Sequence, residues 1–153
     1  MSWYSIALFF HIVGAVLLFV LLTVEGMTLR AGNAGARLNR TLGPVSLVLI
    51  VVPGLYMVAT DAGWTAWVIV GLVAYGLIAG LGAYTGISVL RGGISRAAAT
   101  TSWLVRTGIA LGVVFDMTIK PGALASVAAA IAGGLLVAAA GLTAGRQALY
   151  SSD

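Results

Sequence analysis

One histidine, His11, and three charged residues, Glu25, Arg106 and Asp116, fall inside long apolar runs of this sequence. Ionisable groups in such surroundings are costly and mark function by default. An imidazole there can ligate a haem iron or another metal, bind a quinone, relay protons, or simply hydrogen-bond to a neighbouring helix. His11 lies roughly 12 Å into its run at helical rise. Ala7, Leu8, Gly14, Ala15 and Leu18 share its face, and three of these five are small, so this face is expected to meet other helices. No second histidine exists, which excludes a bis-histidine haem within one chain. Met57 or Met117 can supply a sixth ligand, or a second copy can supply another His11.

Glu25 lies about 40° around the helix from His11 and toward its other end. Arg30, Arg91 or Arg106 can neutralise it. Arg106 and Asp116 bracket nine uncharged residues, 107–115. Both charges are expected to face other helices or to reach outward. Asp116 and Lys120 stand in the acid-first i,i+4 order that favours a salt bridge. The alternative is a contact with His11, in which the carboxylate fixes the imidazole tautomer. The chain contains no P-loop, HExxH, CxxC or GxSxG motif and no paired carboxylates on one helix turn. A hydrolase or nucleotide-driven pump acting alone is therefore not expected, and catalysis of any kind stays open.

The elements that must hold these residues follow from composition. Of 153 residues, 61% are hydrophobic and 8% are charged, and there is no cysteine. Eight basic and four acidic side chains are too few to cover a water-soluble globule, so an integral membrane protein is expected. The absent cysteines exclude disulfides, thiolate metal sites and cysteine nucleophiles. The net charge of +4 reads as membrane orientation rather than nucleic-acid binding, because the basic residues are scattered among loops beside apolar runs. Seven of the eight basic residues are arginine, and alanine and glycine abound, a usage typical of a GC-rich bacterial genome.

Five spans are expected, at about Trp3 to Met27, Leu42 to Thr60, Thr65 to Leu90, Ser102 to Ile119 and Ala123 to Tyr150. They make one all-α transmembrane domain, residues 1–153, a five-helix bundle in the bacterial inner (plasma) membrane. Ala34-Gly35-Ala36 resembles a cleavage site, but the first run is too long and lacks a basic start, so it is read as a retained helix. With five spans, Arg30, Arg37, Arg40, Arg91, Arg96, Arg106 and Arg146 all fall on one side. The positive-inside rule then puts the N-terminus outside and the C-terminus in the cytoplasm. Trp3, Tyr4, Trp64, Trp67 and Trp103 read as an interfacial belt. Pro53 before Gly54 predicts a kink in the second span. Glycines four apart, Gly76 and Gly80, Gly82 and Gly86, Gly108 and Gly112, Gly141 and Gly145, predict close packing of spans three, four and five, or of one of them on a second protomer.

The segment Leu8-Phe9-Phe10-His11-Ile12-Val13-Gly14-Ala15 resembles the first helix of small bacterial integral membrane families that carry a Leu/Phe-x-His-x-x-Gly motif followed by a basic loop. More distantly it resembles copper-resistance D-type proteins and HemJ-type protoporphyrinogen oxidases. Arg37-Leu38-Asn39-Arg40, Pro53-Gly54-Leu55-Tyr56-Met57 and the Trp64…Trp67 pair extend the resemblance over about the first 70 residues. It implies a helical bundle in which His11 binds haem or copper. The basic residue before the histidine and the deeper lysine of the HemJ type are missing, which separates cofactor binding from oxidase activity.

Three functions are therefore expected in competition. The first is a cofactor-binding or accessory subunit of a membrane redox system, with haem or metal on His11. The second is a small oligomeric transporter or channel using Glu25, Arg106, Asp116 and the Pro53 kink. The third is a structural or interaction membrane protein in which His11, Glu25, Arg106 and Asp116 are all satisfied pairs. In each case the expected partners are the lipid bilayer and either further copies of the chain or a membrane redox complex. The orientation has a direct check in a chain without cysteine. Cysteine introduced as Gly93→Cys is expected to react with an impermeant maleimide only from the cytoplasmic side, and Thr65→Cys only from outside.

Overall fold

Every regular element in the described chain is helical, because a sequence this poor in polar side chains must satisfy its backbone groups from within. The computed structural model describes the backbone of residues 2–31 and 35–150 and the side chains of residues 2–29 and 41–144. The side chains of Arg30, Arg37, Arg40 and Arg146, and the surroundings of Gly145, lie outside the described residues. The helices are α1 (Trp3–Ala31), α2 (Gly35–Met57), α3 (Ala66–Leu90), α4 (Arg96–Ile119) and α5 (Ala123–Tyr150). A single π-helical turn, Val58–Ala62, extends α2. All five helices contain a stretch long and apolar enough to cross a membrane.

Contacts gather the chain into two compact units, Met1–Val68 and Ile69–Asp153. In the first, α1 and α2 pack as a helical hairpin. Gly14 lets the backbones approach: a β-carbon there would stand 2.8 Å from the Leu49 carbonyl carbon and from the Ile50 side chain. Beside it, the buried Ser46 hydroxyl donates to the Gly14 carbonyl at 3.1 Å, a bond between the two helices.

In the second unit α4 and α5 make a closer seam. A β-carbon on Gly108 would collide with the Gly133 carbonyl, and one on Gly112 would collide with the Ala129 carbonyl and stand 2.8 Å from Ala130 Cα. Further along the seam, Leu104 fills the space at Gly141. Helix α3 meets α4 through side chains. Met117 lies over Gly71, the Arg106 guanidinium passes Gly82, and the Thr85 and Ser102 hydroxyls share a hydrogen bond of 2.8 Å.

The glycines four apart divide within the single chain. Gly82, Gly108, Gly112 and Gly141 lie at helix contacts, whereas Gly76, Gly80 and Gly86 have nothing within 4 Å of where a β-carbon would stand. For Gly76 and Gly80 the reason is angular. Gly71 and Gly82 share the face of α3 that meets α4, and Gly76 and Gly80 lie about 140–180° around from Gly71 at 100° per residue. Spacing by four defines a groove without saying which way it faces.

The fourth helix also starts earlier than expected. Ser95 caps it, with its hydroxyl accepting from the Ala98 amide at 3.2 Å, so Trp103 lies in the second turn rather than at the start. Lys120, with φ of 51°, ends it one residue before Pro121.

Gly108→Ala and Gly112→Val are expected to force the seam apart and destabilise the protein by about 1–3 kcal/mol, the usual range for overpacking. Gly76→Ala and Gly80→Ala are expected to leave thermal unfolding in detergent unchanged or slightly raised.

Candidate functional site

Proline at 53 has no amide hydrogen, so α2 cannot complete its own ladder to the Leu49 carbonyl one turn before it. The next carbonyl, Ile50, lies where Gly54 leaves the helix surface bare, and His11 meets α2 at this point. Its Nδ1 stands 2.8 Å from the Ile50 carbonyl oxygen. A carbonyl can only accept, so Nδ1 carries the hydrogen and donates it. In the neutral imidazole that leaves Nε2 with the lone pair. Gly54 makes the approach possible, since a β-carbon there would lie 3.2 Å from the same nitrogen. The half-buried His11 is therefore explained by the proline–glycine break it faces. The small-residue face lies where the sequence places it: Ala7 and Gly14 are buried, although Leu8 is exposed.

Met57, buried, belongs to the same unit and lies one turn beyond Gly54 on α2. Met117 belongs to the other unit, where its methyl group covers Gly71. Among the described residues no three His, Cys, Asp or Glu side chains gather as a metal cage. His11 can supply one ligand through Nε2 and no more than one.

The other expected residues divide. Glu25 is half-buried on α1, and its carbonyl accepts from the Thr28 hydroxyl at 2.9 Å. Arg106 is buried to 3% exposure, and Gly82 makes room for its guanidinium. Asp116 is fully buried, at 0% exposure, and neither carboxylate oxygen has a hydrogen-bond partner. The hydrogen bond that joins Lys120 to Asp116 is a backbone one, from the Lys120 amide to the Asp116 carbonyl at 2.8 Å. The acid-first spacing thus ends in a helix cap, because Lys120 has already left the helical conformation.

The α4–α5 seam explains where Asp116 points. Gly108 opposes Gly133, and Gly112 opposes Ala129 and Ala130. One more turn in this antiparallel register brings Asp116 opposite Ser126, which is also at 0% exposure. The Ser126 hydroxyl donates weakly to the Pro121 carbonyl at 3.4 Å. A carboxylate, a hydroxyl and a loop carbonyl therefore belong to one buried end of the seam. Sequence reasoning singles out Asp116 but misses Ser126, and the signal for it is the Gly-x3-Gly register continued by one turn.

A buried carboxyl without a partner destabilises the fold that holds it. Asp116→Asn and Asp116→Leu are accordingly expected to leave thermal stability unchanged or raise it, by up to about 1–3 kcal/mol. His11→Ala is expected to lower stability by about 0.5–1.5 kcal/mol, because it removes the hydrogen bond that joins α1 to the Ile50 carbonyl of α2.

No family model, curated protein or solved structure matches the chain.

Proposed function

We propose that the chain is a five-span protein of the bacterial inner membrane, with its N-terminus outside and its C-terminus in the cytoplasm, and that Asp116 is the proton- or cation-binding group of a small transporter or channel. The membrane part of this reading is supported by the surface. Large apolar side chains are exposed on every helix, among them Phe9, Val52, Leu77, Phe115 and Leu136. Water would penalise that surface, and lipid accepts it. Arg91 and Arg96 flank the turn that follows α3, whereas Asp61 comes just before α3 begins, which is the charge asymmetry the positive-inside rule uses.

The observation that carries the transport reading is the Asp116 carboxyl, fully buried with both oxygens unpartnered. Two buried acceptor oxygens without a donor leave room for a bound proton or cation. Ser126 and the Pro121 carbonyl add oxygen donors on the same side of the seam. Carboxylates of this kind within spanning helices line proton and ion paths. In proteoliposomes under an imposed potential, the wild type is expected to pass protons or sodium ions. Asp116→Asn is expected to reduce that flux to the level of empty liposomes. Wild-type flux equal to empty liposomes, or an unimpaired Asp116→Asn variant, overturns the reading.

A second reading rests on the His11 tautomer. With Nδ1–H committed to Ile50, Nε2 is a ready ligand for one axial position of a haem or for copper, as the family resemblance implies. It takes second place because the described residues gather no cluster of further donors there. It is expected to show as a Soret band or bound copper in the purified protein that disappears in His11→Ala.

A further inference from the structure

At the end of the first hairpin, where α1 begins and α2 finishes, an open cleft of about 530 Å³ is lined by Ser2, Trp3, Tyr4, Tyr56, Thr60 and Asp61. Three of its six residues are aromatic, one is a carboxylate, and none is basic. We propose that this cleft binds an alkylammonium cation, either a soluble amine such as choline or the ammonium of a lipid headgroup.

Two local devices build the cleft. On one wall Ser2 caps α1: its hydroxyl accepts from the Ser5 amide at 3.2 Å and shares a hydrogen bond with the Ser5 hydroxyl at 2.8 Å. The cap makes Trp3 and Tyr4 the first two residues of the helix and fixes their directions. On the other wall α2 ends in the π-helical turn Val58–Ala62, closed by the Gly63 amide on the Val58 carbonyl at 3.0 Å. The wider turn carries Thr60 and Asp61 to positions an α-helical continuation would not give them, and such turns recur at functional sites. The Thr60 hydroxyl is used to hold the turn, donating to the Tyr56 carbonyl at 2.9 Å.

Among the described residues lining the cleft, Asp61 alone carries a formal charge. Asp61 is exposed, and no described residue shows an ion pair or hydrogen bond to its carboxylate. The C-terminal carbonyls of α2 add partial negative charge at the same place. The opposing positive end of α1 is blunted by the Ser2 cap. Trp3, at 76% exposure, and Tyr56, at 41%, offer ring faces and edges rather than serving as packing. Exposed aromatic side chains lining one cleft with a carboxylate are the residue types that recognise quaternary and alkyl ammonium groups. An anionic ligand would meet Asp61, and a purely apolar one would gain nothing from it. The site is independent of Asp116, so either proposal can fail without the other.

The test uses the full chain in nanodiscs of phosphatidylglycerol, which has no amine. Equilibrium dialysis with radiolabelled choline, at constant ionic strength, is expected to show saturable binding that tetramethylammonium displaces. The neutral isostere 3,3-dimethyl-1-butanol is expected not to displace it. Asp61→Asn and Trp3→Ala are each expected to weaken binding by about tenfold, the scale of one ion pair or cation–π contact. Tyr84→Phe, an exposed tyrosine elsewhere, is expected to leave it unchanged. All variants alter exposed residues, and unchanged thermal unfolding confirms their folding. Doping the nanodiscs with phosphatidylcholine separates the two sources: loss of choline binding assigns the site to a lipid headgroup, and retention assigns it to a soluble amine. Absence of saturable binding, equal displacement by the neutral isostere, or full binding by both Asp61→Asn and Trp3→Ala overturns the proposal.

Discussion

The constraint on which the rest depends is that this backbone must satisfy its own hydrogen bonds. With 8% charged residues the chain has few side chains to spare for amide and carbonyl groups, so nearly all of them are consumed in helical ladders. The informative places are therefore the breaks. At Pro53 the ladder of α2 is interrupted, and His11 from α1 reaches the adjoining Ile50 carbonyl. At Val58–Ala62 the ladder loosens into a π turn and delivers Asp61 to a cleft. At Lys120 it stops in a left-handed residue, a few positions after the buried Asp116. His11, Asp61 and Asp116 stand at or beside these interruptions, whereas Arg106 is buried in the regular part of α4.

Close approach of backbones supplies the second layer. Gly108, Gly112, Gly133 and their alanine neighbours let α4 and α5 meet with carbonyl oxygens against α-carbons. Dispersion contacts along such a seam are individually small and collectively large. They also fix register, which sets Asp116 and Ser126 at one level of the seam.

Much of the fold is legible in the residues. Five long apolar runs correspond to five helices, and the Pro53-Gly54 pair marks an irregular place in α2. What stays hidden has physical reasons. The start of α4 at Arg96 escapes because the Ser95 cap lies beyond the apolar run, in residues whose composition resembles a loop. The glycines of α3 mislead because period four is blind to which side of a helix is covered. The partner of His11 is out of reach of any motif, since it is a main-chain carbonyl laid bare 39 residues away in the chain. Asp116 stands out by type and position, but its isolation does not, because the favourable spacing to Lys120 presumes a helix that in fact ends there.

The short link between α4 and α5 has a consequence for biogenesis. Within their most apolar windows, α4 is the least hydrophobic of the five helices, at a mean hydropathy of 1.3, and α5 follows at 2.2. Only Lys120, Pro121 and Gly122 separate them. On the membrane reading, α4 need not partition into lipid by its own merit. A partner that interlocks with it along Gly108 and Gly112 arrives three residues later, and the two can leave the insertion machinery as a preassembled hairpin. The burden of insertion thus falls on α5, which carries no acidic residue, and α4 is released to keep a buried arginine and a buried aspartate that a solitary helix would be selected to lose.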